Sequence, residues 1–148
     1  KAGELFGEVF VFLDKQEFEH YAKAVTNVKV LSMPKDFFFY TCEKKCSYHS
    51  KLIANMLSIL ANKAYYLNKK VQILSSVNLR QKIAKVLLQN STPDGSVMLY
   101  MNREELADYL NTARPSLSRE LMNMQKDGLI KIDKKNIYID DIEKIKNI

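Results

Sequence analysis

The sequence predicts an α+β chain in which a long helix leads into a winged helix, and three observations support this. One run without Gly or Pro carries apolar residues at alternating steps of four and three. A later stretch has the spacing of two helices joined by a tight turn, and two β-prone runs close the chain around a basic tip.

The first part, residues 1 to about 33, alternates β-prone runs with charged turns. Phe10-Val11-Phe12-Leu13 and Val28-Lys29-Val30-Leu31-Ser32-Met33 read as strands. Pro34 suits a first helical turn, and a short helix is expected from Asp36 to about Cys42. Lys1 stands where an initiator Met is expected, and the residues after it already read as packed structure. A β-rich segment of about 40 residues cannot bury a core alone. The expectation is therefore a chain that begins inside a domain whose first half lies upstream; the alternative is that only a few residues are missing.

The second part is a helix expected from about Ser47 to Ser75, roughly 43 Å long. Ile53, Leu57, Leu60, Ala64, Leu67, Val71 and Leu74 form an unbroken heptad seam. A helix this long cannot hide such a seam within so small a chain, so homodimerisation is expected. Met56, Ile59 and Tyr66 leave room for packing within the chain as well.

The third part starts near Asn78, which can cap a helix running to about Gln89, with Ile83, Ala84, Leu87 and Leu88 facing the core. Ser91-Thr92-Pro93-Asp94-Gly95-Ser96 is a turn cluster, and Val97 to Met101 reads as a strand. Asn102 with Glu105 is a capping box, and Leu106, Ala107 and Leu110 form the buried face of the helix it opens. Asn111 tolerates the left-handed backbone that a tight turn needs. A second helix from about Arg114 to Lys126 buries Leu117, Leu121 and Met124. Leu129 to Asp133 and Ile137 to Asp140 make a hairpin with its tip at Lys134-Lys135-Asn136.

The spacing from Ala107 to Asn111 to Leu117 is that of a helix-turn-helix. A purely structural hairpin has no need of Arg114, Ser116, Ser118 and Arg119 on its outer face. Arginine can pair bidentately with guanine, and serine hydroxyls suit phosphate oxygens. Lys134 and Lys135 at the wing tip are candidate phosphate contacts, although such a pair is also common as a solvated tip.

Composition fits this reading and excludes others. The chain has 148 residues, 47% of them hydrophobic, and a formal charge of +6 that favours a polyanionic partner without fixing one. No apolar run approaches the roughly 18 residues of a membrane span, and no secretory leader pattern is evident. Two cysteines make no disulfide framework. A reducing cytoplasm is expected. No phosphate-cradling glycine loop and no nucleophile-and-base pair point to an enzyme. Cys42, Cys46 and His49 have helical spacing, but they straddle a helix junction and lack a fourth ligand, so no metal or other cofactor is assigned.

The run REELADYLNTARPSLSRELMNMQKDGLI resembles the DNA-binding signature of the Crp/Fnr transcription regulators, especially those of clostridia. The likeness extends over nearly the whole chain. GELFGEVFVFL resembles the end of the family's cyclic-nucleotide-binding-like β-barrel, and the heptad helix stands where the family places its dimerisation helix.

The resemblance implies three regions: residues 1–45 as the remnant of a cyclic-nucleotide-binding-like effector domain, 46–76 as the dimerisation helix, and 77–148 as the winged DNA-binding domain. It implies Arg114 and Arg119 as base readers, and Ser116 and Asn102 as phosphate contacts. Pro115 replaces a base-reading glutamate found in many members, so their operator preference does not carry over. Ala113 occupies the usual Ser/Thr cap, with Thr112 as a substitute. Gly7 and Glu8 match the family's ribose-binding pair. His20 and Tyr21 stand where a phosphate-binding Arg-Ser pair is expected, which argues against cyclic AMP. The partners implied are double-stranded DNA with a near-palindromic operator, a second copy of the chain and, as a further candidate, RNA polymerase. The competing reading is a winged helix that binds another protein without reading DNA.

Overall fold

A computed structural model describes residues 4–13, 17, 21–39, 47–134 and 136–148. They fall into two units, Lys1–Leu60 and Ala61–Ile148, divided within the long helix.

In the first unit the expected strand at Phe10–Leu13 is instead part of helix α1, Glu8–Phe12. Gly7, at φ 83°, turns the chain into it, and the Val11 and Leu13 amides donate to the carbonyls of Gly7 and Val9. Residues 28–33 form no strand either. The physical reason is the same for both runs. A strand's N–H and C=O groups need a neighbouring strand, and none pairs with these runs among the described residues. Strand propensity is a preference for a packed sheet surface and fails where no sheet exists. Helix α2 spans Asp36–Phe39, after Pro34 as expected. Phe38 meets Phe12 edge-on with ring centroids 5.9 Å apart, and Phe37 stacks on His49 at 5.6 Å. His20, Cys42 and Cys46 lie outside the described residues.

Helix α3 spans Ser47–Leu74, within a residue of the expected end. Its buried residues are Met56 and Ile73, neither of them on the heptad. The seam itself stays open: Leu57, Leu67 and Val71 are 62%, 64% and 60% exposed. Ala64 is exposed too, while Ile53, Leu60 and Leu74 are half-buried.

The second unit is built around one apolar core. Ile73 at the end of α3 enters it, together with Ile83, Ala84, Val86 and Leu87 of α4, Leu79–Gln89. Asn78 caps α4 as expected, its side chain accepting from the Gln81 amide at 2.9 Å. Helix α6, Arg114–Lys126, packs against α4 and against helix α5, Arg103–Tyr109. Helix α6 ends on Gly128, at φ 69°. The Gly128 amide donates to Gln125 O and the Leu129 amide to Met124 O, the double closure of a Schellman cap.

A three-stranded antiparallel sheet closes the unit in the order β1-β3-β2, with β1 at Ser96–Val97, β2 at Ile130–Asp133 and β3 at Asn136–Ile139. The register sets Ile130 opposite Ile139 and Asp133 opposite Asn136, the last pair before the wing tip. The first strand is shorter than the sequence suggests. Val97 pairs with Ile137, and one step further stands Asn136, the first residue of β3. The Met98 amide bonds Asn90 O instead. Gly95 is needed at φ 85°, because a Cβ there would stand 2.7 Å from Ile139 O, the carbonyl edge of β3. A short helix α7, Ile142–Lys146, buries Ile145 against the core and is capped by Asp141.

Candidate nucleic-acid interface

The helix-turn-helix forms through local hydrogen bonds that its residue types dictate. Asn102 Oδ1 accepts from the Glu104 and Glu105 amides at 2.9 and 3.0 Å, and Glu105 Oε2 accepts from the Asn102 amide at 2.7 Å. The expected capping box is therefore complete. It also commits the Asn102 side-chain oxygen, leaving only the amide NH₂ to face a phosphate.

The turn follows as expected. Leu110 is fully buried, and Asn111 adopts φ 51°. The Thr112 amide reaches back to Ala107 O at 2.9 Å. Ala107, 2% exposed, leaves no side-chain bulk between α5 and α6. Helix α6 then starts with Ala113 at its cap and without a side-chain cap, so the expected substitution by Thr112 does not occur. Pro115 in the first turn compensates through its preset φ.

Helix α6 divides cleanly. Leu117, Leu121 and Met124 are buried at 1% exposure or less. Arg114, Ser116, Ser118 and Arg119 are all exposed, and none of their side chains makes a hydrogen bond or ion pair among the described residues. At 100° per residue, Arg119 points opposite the buried face, with Arg114 and Ser118 on one flank and Ser116 on the other. Lys134 is exposed at the wing tip with φ 53°, and Lys135 lies outside the described residues.

Three features escaped the sequence reading. Met122 is 50% exposed on the same face of α6 as Arg119, three residues further on. Its helical phase could have revealed it. Arg103 opens α5 with its Nη1 buried and without a hydrogen-bond partner, and burial pushes this guanidinium below its ordinary pKa. The third is a bridge. Arg80 Nε meets Glu120 Oε1 at 2.5 Å, and Nη1 meets Asp127 Oδ2 at 2.6 Å. These hydrogen bonds, the one to Glu120 foremost, raise the Arg80 pKa further. Separations of 40 and 47 residues leave no local pattern from which the bridge could be read.

Of the candidate effector residues, Gly7 begins α1, Glu8 is buried and Tyr21 is 91% exposed. Among the described residues no cluster of three His, Cys, Asp or Glu could hold a metal, and no helix is long and apolar enough to cross a membrane.

Comparison with known proteins agrees with this geometry. Residues 81–148 match the Crp-like helix-turn-helix domain. The CRP-like cAMP-activated global transcriptional regulator of Mycobacterium tuberculosis is 23% identical over 149 residues, covering 96% of this chain and 64% of that protein. Among solved structures, CooA from Carboxydothermus hydrogenoformans aligns with a TM-score of 0.56 at 24% identity, over 66% of this chain and 49% of that one. A CRP-family transcriptional regulator from Thermus thermophilus aligns at 0.55 and 23% identity, over 69% and 54%. The chain thus spans 64% of the curated relative and about half of these structures. The structural likeness shows a shared fold. Residues 81–148 are thus a Crp-like helix-turn-helix domain, and the chain shares its fold with these regulators.

Proposed function

We propose that this protein binds double-stranded DNA sequence-specifically as a homodimer and thereby regulates transcription. One observation carries the reading: α6 buries one face completely and presents Arg114, Ser116, Ser118 and Arg119 uncommitted on the others. Two free guanidiniums suit guanine edges, and two free hydroxyls suit phosphate oxygens. Met122 beside Arg119 offers an apolar contact to a thymine methyl. Lys134, exposed at the wing tip, suits a backbone phosphate.

The open seam of α3 supports the dimer. Two copies joined there would place two α6 helices in successive major grooves about 34 Å apart, on a near-palindromic site. In this scheme residues 77–148 read DNA, 46–76 dimerise, and 1–45 belong to an effector domain. RNA polymerase is the partner through which such a regulator would act. The M. tuberculosis relative is named as cAMP-activated, but His20-Tyr21 offers no arginine for a cyclic phosphate. We therefore assign a different effector or none.

Selection from a randomised duplex library, followed by affinity measurement across salt, tests the proposal. The expected result is an enriched palindrome bound with an affinity that falls steeply as salt rises. No enrichment, together with salt-insensitive binding, would favour the protein-interaction reading instead.

A further inference from the structure

We propose that Arg80 is a positioning residue for DNA reading: its guanidinium fork grips α6 at two points and fixes the rotation and slide of that helix against α4. The inference rests on α6 being the element that reads DNA.

Arg80 is the second residue of α4, so its stem starts from a helix anchored in the core. One edge of the fork, Nε, holds Glu120 at 2.5 Å, and Nη1 holds Asp127 at 2.6 Å. The backbone positions of Glu120 and of Asp127, the residue that caps the C-terminus of α6, are two helical turns apart, roughly 10 Å along the axis, and their carboxylates converge on the one guanidinium. A helix held at one point can still roll about that contact. Held at two points by one planar group, it can neither roll nor slide without breaking a charge-assisted bond. The apolar contact between α4 and α6 resists separation, but it is non-directional and tolerates small rotations. The fork supplies the missing direction.

The partners are arranged for this role. Glu120 is only 22% exposed at its side chain, so screening by water is incomplete. Its other oxygen accepts from Asn123 Nδ2 at 3.3 Å, which fixes the carboxylate from both sides. Glu120 also directly follows Arg119. A small rotation of α6 therefore moves the arginine that must meet a base edge. The fork also offsets two negative charges on a helix that has to approach phosphates. Lysine could not replace it, because an ammonium on a flexible stem is a point charge without the planar fork.

The test uses the full chain and two duplexes of equal length, one selected by the wild type from a randomised library and one of random sequence. Arg80→Lys keeps the charge. It should weaken binding to the selected duplex roughly five- to tenfold while leaving random-duplex affinity and its salt slope unchanged. Glu120→Gln with Asp127→Asn should lose the same discrimination even though it makes the chain more basic. Adding Arg80→Lys to that pair should cost nothing further, because all three changes cut one device. Equal losses on both duplexes with a shallower salt slope would make Arg80 a phosphate contact and overturn the proposal. A lower melting temperature with discrimination intact would reduce the bridge to a structural tie and also overturn it. If the wild type selects no sequence, the DNA reading itself fails, a result distinct from either.

Discussion

Substituting Leu57 and Leu67 with Asp tests the dimer seam at two positions that the single chain leaves open. Leu57, Leu67 and Val71 are 62%, 64% and 60% exposed, so removing the remaining exposure in a dimer is worth roughly 1–2 kcal/mol each. Counted over both copies, these three positions contribute roughly 6–12 kcal/mol. That is of the same order as the cost of association, roughly 4–15 kcal/mol. The two aspartates remove most of this gain and set carboxylates face to face in a drying seam. A loss of roughly 4 kcal/mol or more weakens the dimer about a thousandfold. Because both leucines are exposed in one chain, the helical signal in circular dichroism should not change. Sedimentation equilibrium over a concentration series should then give a monomer for the variant and a dimer for the wild type. A variant that keeps the wild-type dissociation constant would refute the seam.

Three further outcomes follow from the DNA-binding unit. Arg119→Ala should cost roughly 1–3 kcal/mol and relax preference at one base pair per half-site, whereas Lys134→Ala should weaken all sequences alike and flatten the salt slope; binding across a half-site library separates them, and a uniform loss for Arg119→Ala would make it a backbone clamp. Asn102→Ala removes the acceptor of two amide bonds and should lower stability by about 1 kcal/mol, measured by denaturant unfolding. Asp141 caps α7, and the hydrogen bond from the Lys144 amide holds its carboxyl below the ordinary value. Its contribution is therefore fully present above the unfolded carboxyl pKa and is lost as pH falls through the lowered folded value. The Lys144 amide resonance should shift over that acid range in the wild type and much less in Asp141→Asn.

The C-terminal half was legible because its signals are local. A cap is a side chain bonding amides two or three residues away, so Asn78 and Asn102 declare the starts of α4 and α5. A tight interhelical turn needs one left-handed residue, and Asn111 supplies it. Helical periodicity named the buried Leu117, Leu121 and Met124 and, by subtraction, the free Arg114 and Arg119. The heptad similarly set the course of α3 and its open seam.

Tertiary structure decided what depends on distant partners. Phe10–Leu13 has strand composition, but a strand exists only where another chain segment accepts its hydrogen bonds, and this run closes its bonds within a helical turn. Of Val97–Met101 only Val97 is strand, because the Met98 amide bonds Asn90 O rather than β3. The grip of Arg80 on Glu120 and Asp127 joins residues 40 and 47 positions apart. Periodicity can place a charge on a helix face, but only the packing of α4 against α6 decides which charges meet. The sequence by itself thus determined which surface of α6 is offered, and the assembled core determined the angle at which it is held.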